Sequence, residues 1–350
     1  MTTAYASQFN TFVPSLADSN RLLVDFSRNP KDFALNRYIQ IVPVKRTIGY
    51  YLLMTLEERM RILNTNGSNF NWPDGAARPM GNNGTESFSF QQFQCQRFAY
   101  AWNLGNLAID QAQWDISNQH IDIKAQQAMT MRTQLVQTVL TTSGNYAAAH
   151  TGTATAAGGG QWSNATNANL YIKKSIDAMV AQVLTDTGSV VKRKDLRLVI
   201  NPNAAKMMSE TQELVNYLKG SPYALPFVRG DLANGSEDND VLFGLPPRYA
   251  GVELVVEDAV KVTSKKGATT ASSFVQADTV AILTARPGAL EGRYGGPSFS
   301  TCTLFVYEGD DLGVEVLRDA SNRRTAGSVV DNIAPVMTAP ITGYYLTAIQ

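Results

Sequence analysis

The sequence is poor in charged side chains, which make up 17% of its 350 residues, against about 25% in a typical soluble domain. Thirty basic and thirty acidic residues give a formal net charge of zero. A dedicated nucleic-acid binder carries a basic excess on one face, and a neutral sequence argues against that class. Because net charge keeps free monomers apart in solution, a neutral, charge-poor chain favours assembly with other copies.

Cysteine and histidine are scarce, with two residues of each type. Cys95 and Cys302 lie far apart and form no metal or redox motif, so we expect buried thiols in a reducing compartment. His120 and His150 have no nucleophile or metal ligand near them in the sequence, and we expect a surface or structural role for each. The sequence therefore predicts no catalytic residue, no cofactor and no resident metal.

Catalytic signatures are also missing. The sequence contains no phosphate-binding G-x-x-x-x-G-K-[ST] motif, no strand-linked G-x-G-x-x-G and no G-x-S-x-G for an acyl-transfer serine. These absences favour a structural protein over an enzyme. A cytoplasmic α/β enzyme without recognisable motifs is the alternative from another class.

Two acidic clusters and one basic run have ordinary interpretations. Residues 237–240 (EDND) and 308–311 (EGDD) lack EF-hand spacing, so they are interpreted as solvated turns, with a calcium site as the alternative. Residues 192–194 (KRK) are interpreted as a solvated loop, with contact to nucleic acid as the alternative.

Long hydrophobic runs are absent too. Residues 1–20 lack a basic segment followed by an apolar one, and the longest apolar stretches fall far short of the roughly 20 residues that cross a bilayer. We therefore expect no membrane association and a protein that is cytoplasmic when made.

The first third of the chain predicts an arm, two strands and a projecting loop. Residues 1–36 are polar and weakly periodic, as is typical of an extended arm that becomes ordered against a neighbouring subunit. Strands are predicted at 38–44 and 48–54. Pro43 cannot donate to a strand ladder and places the first of them at a sheet edge or a bulge. Residues 56–85, rich in asparagine, glycine and proline, cannot form a core of their own.

Charged residues open this projecting segment. Glu57, Glu58, Arg59 and Arg61 are predicted to contact an adjacent subunit, and a helical turn with solvated charges is the alternative. The aromatic run at 88–100 is predicted to be the returning strand. A change of alternation between its two halves, Phe88 with Phe90 and then Phe93 with Cys95, predicts a β-bulge.

The remaining elements follow from periodicity. A long helix is predicted at 117–140 and a second at 170–184, where Ile172, Ile176, Met179, Val180 and Val183 share one face. Residues 196–200 predict a buried strand. Asn201 and Pro202 then form a helix start, and the helix carries apolar residues as far as Leu218 and ends at Gly220. Further strands are predicted at 252–262, 279–284, 302–308 and 312–318.

This order of elements resembles the Hong Kong 97 fold shared by tailed-phage major capsid proteins and encapsulin shells. The segments that carry the resemblance are 41–51 (IVPVKRTIGYY), 84–87 (GTES), the helix at 117–140, 161–163 (QWS), 196–210 (LRLVINPNAAKMMSE) and 251–262 (GVELVVEDAVKV). The resemblance implies an α+β fold. Its parts would be an N-terminal arm (1–37), an extended β-hairpin loop with its flanking strands (38–104), a peripheral domain with a long spine helix (105–190), an axial α/β domain (191–310) and C-terminal strands that return to the peripheral and axial domains (311–350).

The resemblance also implies function and partners. The chain would assemble as hexamers and pentamers into the icosahedral head shell of a tailed phage, with an encapsulin-type nanocompartment shell as the alternative. Packaged DNA would be contacted non-specifically on the inner face, and scaffolding, portal and decoration proteins would be separate chains. Some relatives link an extended-loop lysine covalently to a neighbour's asparagine. No lysine occurs here between Lys45 and Lys124, so we expect a shell without such links.

Overall fold

The computed structural model describes residues 30–54, 72–77, 88–112, 115–164, 166, 169–219, 244–265, 267–292 and 296–350. Within these ranges the chain is a mixed α+β protein. Its helices are α1 (Leu35–Tyr38), α2 (Asn106–Gln111), α3 (Ile116–Thr141), α4 (Ala154–Gly158), α5 (Tyr171–Asp186), α6 (Pro202–Glu210) and α7 (Gln212–Lys219).

The strands of the described ranges form two larger sheets and two hairpins. They are β1 (Gln40–Val44), β2 (Ile48–Met54), β3 (Phe88–Gln94), β4 (Gln96–Gly105), β5 (Thr151–Thr153), β6 (Leu196–Ile200), β7 (Arg248–Tyr249), β8 (Val252–Val256), β9 (Val260–Val262), β10 (Ser272–Phe274), β11 (Ala281–Ala285), β12 (Cys302–Tyr307), β13 (Gly313–Asp319), β14 (Arg324–Met337) and β15 (Tyr344–Thr347). The hairpins are β2–β3 and β9–β10.

The six-stranded sheet has the order β5-β15-β11-β6-β8-β7. Leu198 and Val199 of β6 point to opposite faces of this sheet, and both are fully buried. One face packs in the same core as α5 and α6, and the other in the same core as α3. Both faces are therefore covered, which explains why four of the five residues of β6 are apolar and buried.

The five-stranded sheet is built around β14, whose fourteen residues pair with three strands. On one side β4 pairs with residues 324–333. On the other side β13 pairs with 324–330 and β12 with 333–337, and β1 lies parallel to β12. Cys302, Leu304 and Val306 of β12 belong to the same core as α3 and the six-stranded sheet. The two sheets thus share one core.

The predicted long helix is confirmed as α3. It begins at the N-cap Asp115, whose side chain accepts a hydrogen bond from the Asn118 backbone N–H at 3.1 Å. Its buried side includes Met129, Val136 and Leu140, together with polar residues that find partners inside the protein. The helix therefore has a buried side without a clean apolar stripe.

The predicted second helix and buried strand are confirmed as α5 and β6. All five residues predicted on one face of α5 are buried. The Asn201 side chain accepts from the Ala204 N–H at 2.8 Å, and Pro202 occupies the first turn of α6. The helix expected to end at Gly220 is instead divided at Thr211, which is extended and separates α6 from α7.

Several predictions need correction. Phe33 and Leu35 are buried in the shared core, so residues 33–36 need no neighbouring subunit for order, whereas residues 1–29 lie outside the described ranges. The predicted bulge is wrong, because β2 pairs with β3 from Ile48–Gln94 to Met54–Phe88 without a skipped residue. The aromatic residues simply lie on opposite faces, Phe90 outward and Phe93 inward.

The domain division that the resemblance implied stays a prediction, and two of its boundaries fall next to elements that the structure describes. The boundary at 190 separates α5 from β6, but Ile176 and Leu198 belong to one core. The unit that ends at 104 includes β4 as a strand flanking the extended loop, and β4 pairs with β14 over its whole length.

Two further expectations can be compared with the structure. β1 pairs with β12 on one side and has no second partner strand among the described residues, so the edge position predicted from Pro43 is confirmed.

In the part of the chain that the structure describes, no helix combines the length and the apolar character that crossing a bilayer requires.

Candidate assembly surface

The β2–β3 hairpin has one face packed on the protein and one face open to solvent. On the inner face the Phe93 ring stacks on Phe305 of β12, with ring centroids 4.0 Å apart and planes within 6° of parallel. Tyr51 lies on the same side, 6.1 Å from the Phe305 ring. These contacts attach the base of the hairpin to the five-stranded sheet through a separate small core.

Gly49 allows this close packing. A Cβ atom at Gly49 would lie 2.5 Å from Cζ of Phe93, which is the residue directly opposite on β3. The absence of a side chain at Gly49 therefore leaves the space that the Phe93 ring fills. The backbone N–H of Cys95 donates to the Thr47 carbonyl at 2.7 Å and closes the base of the hairpin.

The outer face of the hairpin is apolar and exposed. We use "outer face" for the side chains that alternate to this side and that the structure describes: Ile48, Tyr50, Leu52, Phe90, Gln92 and Gln94. Tyr50 is 66% exposed and Phe90 73% exposed. No charged residue belongs to this set. An uncharged surface that exposes four large apolar side chains is typical of a protein–protein contact.

The four charged residues predicted at the subunit contact, Glu57, Glu58, Arg59 and Arg61, lie outside the described residues. They follow β2 in the sequence, and Glu57 comes three residues after Met54. The structure therefore identifies an uncharged surface that the sequence analysis did not single out. The only local signal was the apolar run from Tyr50 to Met54, which does not show which face of the strand is exposed.

The two histidines have structural surroundings. His150 is fully buried, and its ring nitrogens lie 2.7 Å from Asp186 Oδ2 and 2.7 Å from the Gly343 carbonyl. His120 stacks on Trp102 at 6.3 Å, and burial together with Lys124 lowers its pKa. Neither ring adjoins a described cysteine or hydroxyl nucleophile in these contacts, in keeping with the expected structural roles.

Two acidic residues of the 308–311 cluster form ion pairs within the subunit. Asp310 Oδ2 lies 3.4 Å from Arg97 Nε, and Asp311 Oδ1 accepts a 2.5 Å hydrogen bond from Arg132. Across the described ranges, no group of three or more histidine, cysteine or acidic side chains could hold a metal ion. The cluster at 237–240 lies outside those ranges. In the basic run, Arg193 pairs with Asp177.

Both cysteines are free and buried, as predicted. Burial raises the pKa of the Cys302 thiol to about 12 and also raises that of Cys95. Because the thiolate is the reactive form, both side chains are poor nucleophiles and poor candidates for disulfide exchange in the folded subunit.

Sequence analysis missed three buried polar contacts. Arg132 of α3 binds Asp331 of β14, and the Tyr38 hydroxyl donates to Glu257 at 2.8 Å. Glu213 accepts from the backbone N–H groups of Ile172 and Lys173 and so caps the N-terminus of α5. The first had a local signal, because an arginine on the buried side of a helix requires an acidic partner.

Three solved structures resemble the fold over nearly the whole chain. A phage-related protein from Bordetella bronchiseptica RB50 has a TM-score of 0.58 at 14% identity, covering 92% of this chain and 93% of its own. The capsid of the cyanophage P-SCSP1u gives 0.59 at 11% identity, covering 97% and 93%. The mature capsid of bacteriophage PhiM1 gives 0.51 at 12% identity, covering 93% and 89%. No family model and no curated protein matches the sequence.

Proposed function

We propose that this chain, which has the fold of phage capsid proteins, is the major capsid protein of a tailed phage. Copies of the chain assemble into the icosahedral head shell that encloses the double-stranded DNA genome. The observation that carries the proposal is the β2–β3 hairpin, whose inner face is fixed by the Phe93–Phe305 stack and whose outer face is uncharged and exposed.

The exposed aromatic residues have a physical role in a shell. Burying a side chain such as Tyr50 or Phe90 against a neighbour contributes roughly 1.5–3 kcal/mol. This contribution recurs in every copy, so many weak contacts make a stable particle. The hydrogen-bonded pairing of β2 with β3 holds these side chains on an ordered backbone. Assembly therefore costs little backbone conformational entropy.

Partners follow from the same proposal. The chain forms hexamers and pentamers of itself, and residues 1–29 extend along neighbouring subunits. Glu57, Glu58, Arg59 and Arg61 face charges of an adjacent copy and fix the register of the contact. Packaged DNA touches the inner face without sequence preference. Scaffolding, portal and decoration proteins are separate chains, and the protein has no catalytic function. It is located in the virion after assembly in the host cytoplasm.

Electron microscopy of the purified protein tests the proposal. We expect closed shells from the wild type, and a soluble, folded subunit without shells from Tyr50→Asp, because a buried carboxylate would have no partner. Tyr50→Phe is the matched control and should form shells. Shells from Tyr50→Asp would show that Tyr50 is not buried at a subunit contact. The absence of particles from the wild type under every condition would overturn the capsid function. Particles that enclose protein cargo instead of DNA would indicate a nanocompartment shell.

A further inference from the structure

β13 is an edge strand with an apolar surface. It pairs with β14 through all seven of its residues, and no other described strand pairs with it. Val314, Val316 and Leu317 are exposed, with Val316 at 55% and Leu317 at 71%. An edge of this length presents unpaired backbone groups to any strand that approaches.

The carboxylates of this edge are already paired within the subunit. Glu315 lies 3.2 Å from Arg97, and Asp319 lies 2.9 Å from Arg324. Charged side chains on an edge ordinarily repel a second strand. Here each carboxylate has an arginine partner in the same chain, so it opposes a second strand mainly where another carboxylate would lie directly opposite it.

We propose that β13 pairs with β13 of a second copy of this chain, antiparallel and across a two-fold axis at Val316. The inference rests on the proposed function, because an icosahedral shell contains two-fold contacts between identical chains. A two-fold interface is formed by the same surface of both copies, and an antiparallel strand pair has this symmetry.

The position of the axis follows from strand length and charge. In a two-fold antiparallel pair one residue lies opposite itself, and Val316 is the middle residue of Gly313–Asp319. This register pairs all seven residues. It places Val316 opposite Val316, and Val314 opposite Arg318 of the second copy.

The neighbouring registers are unfavourable. Moving the axis to Glu315 places two glutamates opposite each other. Moving it to Leu317 places Glu315 opposite Asp319 of the second copy. Like charges directly opposite in a strand pair are destabilising. The register centred on Val316 is therefore the full-length pairing, and each adjacent symmetric register brings two carboxylates together.

Single cysteine substitutions test the axis. In assembled particles, Val316→Cys should form a disulfide with its own copy under mild oxidation, because directly opposite residues lie within disulfide distance. Val314→Cys is the matched control, an exposed valine two positions away whose counterpart lies out of reach. The native Cys95 and Cys302 are buried and should contribute no dimer band. We expect a dimer on a non-reducing gel for Val316→Cys only.

The outcomes separate this proposal from the capsid function. Shells that form normally but give no Val316→Cys dimer overturn the paired edge and leave the capsid function standing. A Val316→Cys dimer without shells supports the paired edge and counts against the capsid function. A monomer in every condition overturns both.

A second test, which changes the charge at Val314, decides the register if the cysteine variant fails to fold. Because Val314 lies opposite Arg318 of the second copy, Val314→Glu should assemble and Val314→Lys should not, although both place a long charged side chain at one exposed position. We expect at least a tenfold difference in particle yield. Equal yields from the two variants would contradict the register.

Discussion

Arg132 of α3 and Asp331 of β14, 199 residues apart in the sequence, form a buried bidentate ion pair. Arg132 Nε lies 2.7 Å from one carboxylate oxygen of Asp331, and Nη2 lies 2.6 Å from the other. Arg132 is 4% exposed and Asp331 is fully buried. Burial lowers the pKa of Arg132, but hydrogen bonds to Asp331 and Asp311 raise it above its ordinary value on balance. The pair joins the longest described helix to the longest described strand.

Replacing Arg132 with methionine should destabilise the subunit by about 3–5 kcal/mol, because Asp331 would remain buried without a counter-charge. Arg97→Met is the control, since Arg97 is itself 56% exposed beside Glu315 and Asp310, and an exposed pair contributes at most about 1 kcal/mol. Urea unfolding of the unassembled subunit measures both changes. Equal decreases in the free energy of unfolding of the two variants would show that the buried pair stabilises the subunit no more than the exposed one.

Gly49→Ala should displace the Phe93 ring from Phe305 and destabilise the hairpin by about 1–3 kcal/mol, as overpacking does elsewhere. Gly144→Ala is the matched control, because a Cβ there meets no atom within 4 Å. Thermal unfolding followed by near-ultraviolet circular dichroism reports both stability and aromatic packing. An unchanged aromatic signal in Gly49→Ala would mean that the ring tolerates the added methyl group.

Alkaline pH should destabilise the folded subunit through Cys302. The thiol ionises near 9.0 in the unfolded chain, and burial raises its pKa to about 12 in the fold. Between these two pH values the thiol has lost its proton in the unfolded state but keeps it in the folded state. The contribution of Cys302 to the unfolding free energy is therefore fully present below pH 9 and decreases as the pH rises above 9. The slope reaches about 1.4 kcal/mol per pH unit for one group.

Urea unfolding at a series of pH values tests this dependence, with Cys302→Ala as the comparison. The variant should lose stability less steeply above pH 9, whatever its stability at neutral pH. Some slope should remain, because burial also raises the pKa of Tyr38 and Tyr146. Identical slopes in the two proteins would exclude Cys302 as the titrating group.

Reversing Glu57 and Glu58 to lysine should impair shell assembly and leave the subunit soluble and folded, because interfacial charges mainly set register and specificity. Glutamine at both positions is the control, since it removes the charge without reversing it and should impair assembly less. Electron microscopy counts the particles. Normal shells from the lysine variant would favour solvated charges on a helical turn within the subunit.

Mature particles boiled in detergent and reductant should run as one band near 38.1 kDa. The segment from 46 to 123 contains no lysine, and Lys45 lies at the base of the hairpin, where β1 ends and β2 begins. Disulfides are disfavoured as well, because Cys95 and Cys302 are buried. A ladder of multimers would show that another lysine, such as Lys173 or Lys174, forms the link.

Local patterns determined much of the fold. The apolar spacing at Ile172, Ile176 and Val183 predicted α5, and Asn201 with Pro202 predicted the start of α6. The strand β2 was predicted with the bounds that the structure has. These features depend on neighbours within a few residues, so hydrogen bonds and side-chain faces close in sequence are enough to specify them.

Contacts between distant segments were decided by the tertiary structure alone. The Phe93–Phe305 stack fixes which face of the hairpin is buried, and it joins residues more than 200 positions apart. The same holds for Asp331, which the sequence shows only as one acidic residue among thirty. A buried charge or a stacked ring is specified by the partner it meets, and that partner is brought near only when the sheets assemble around their shared core.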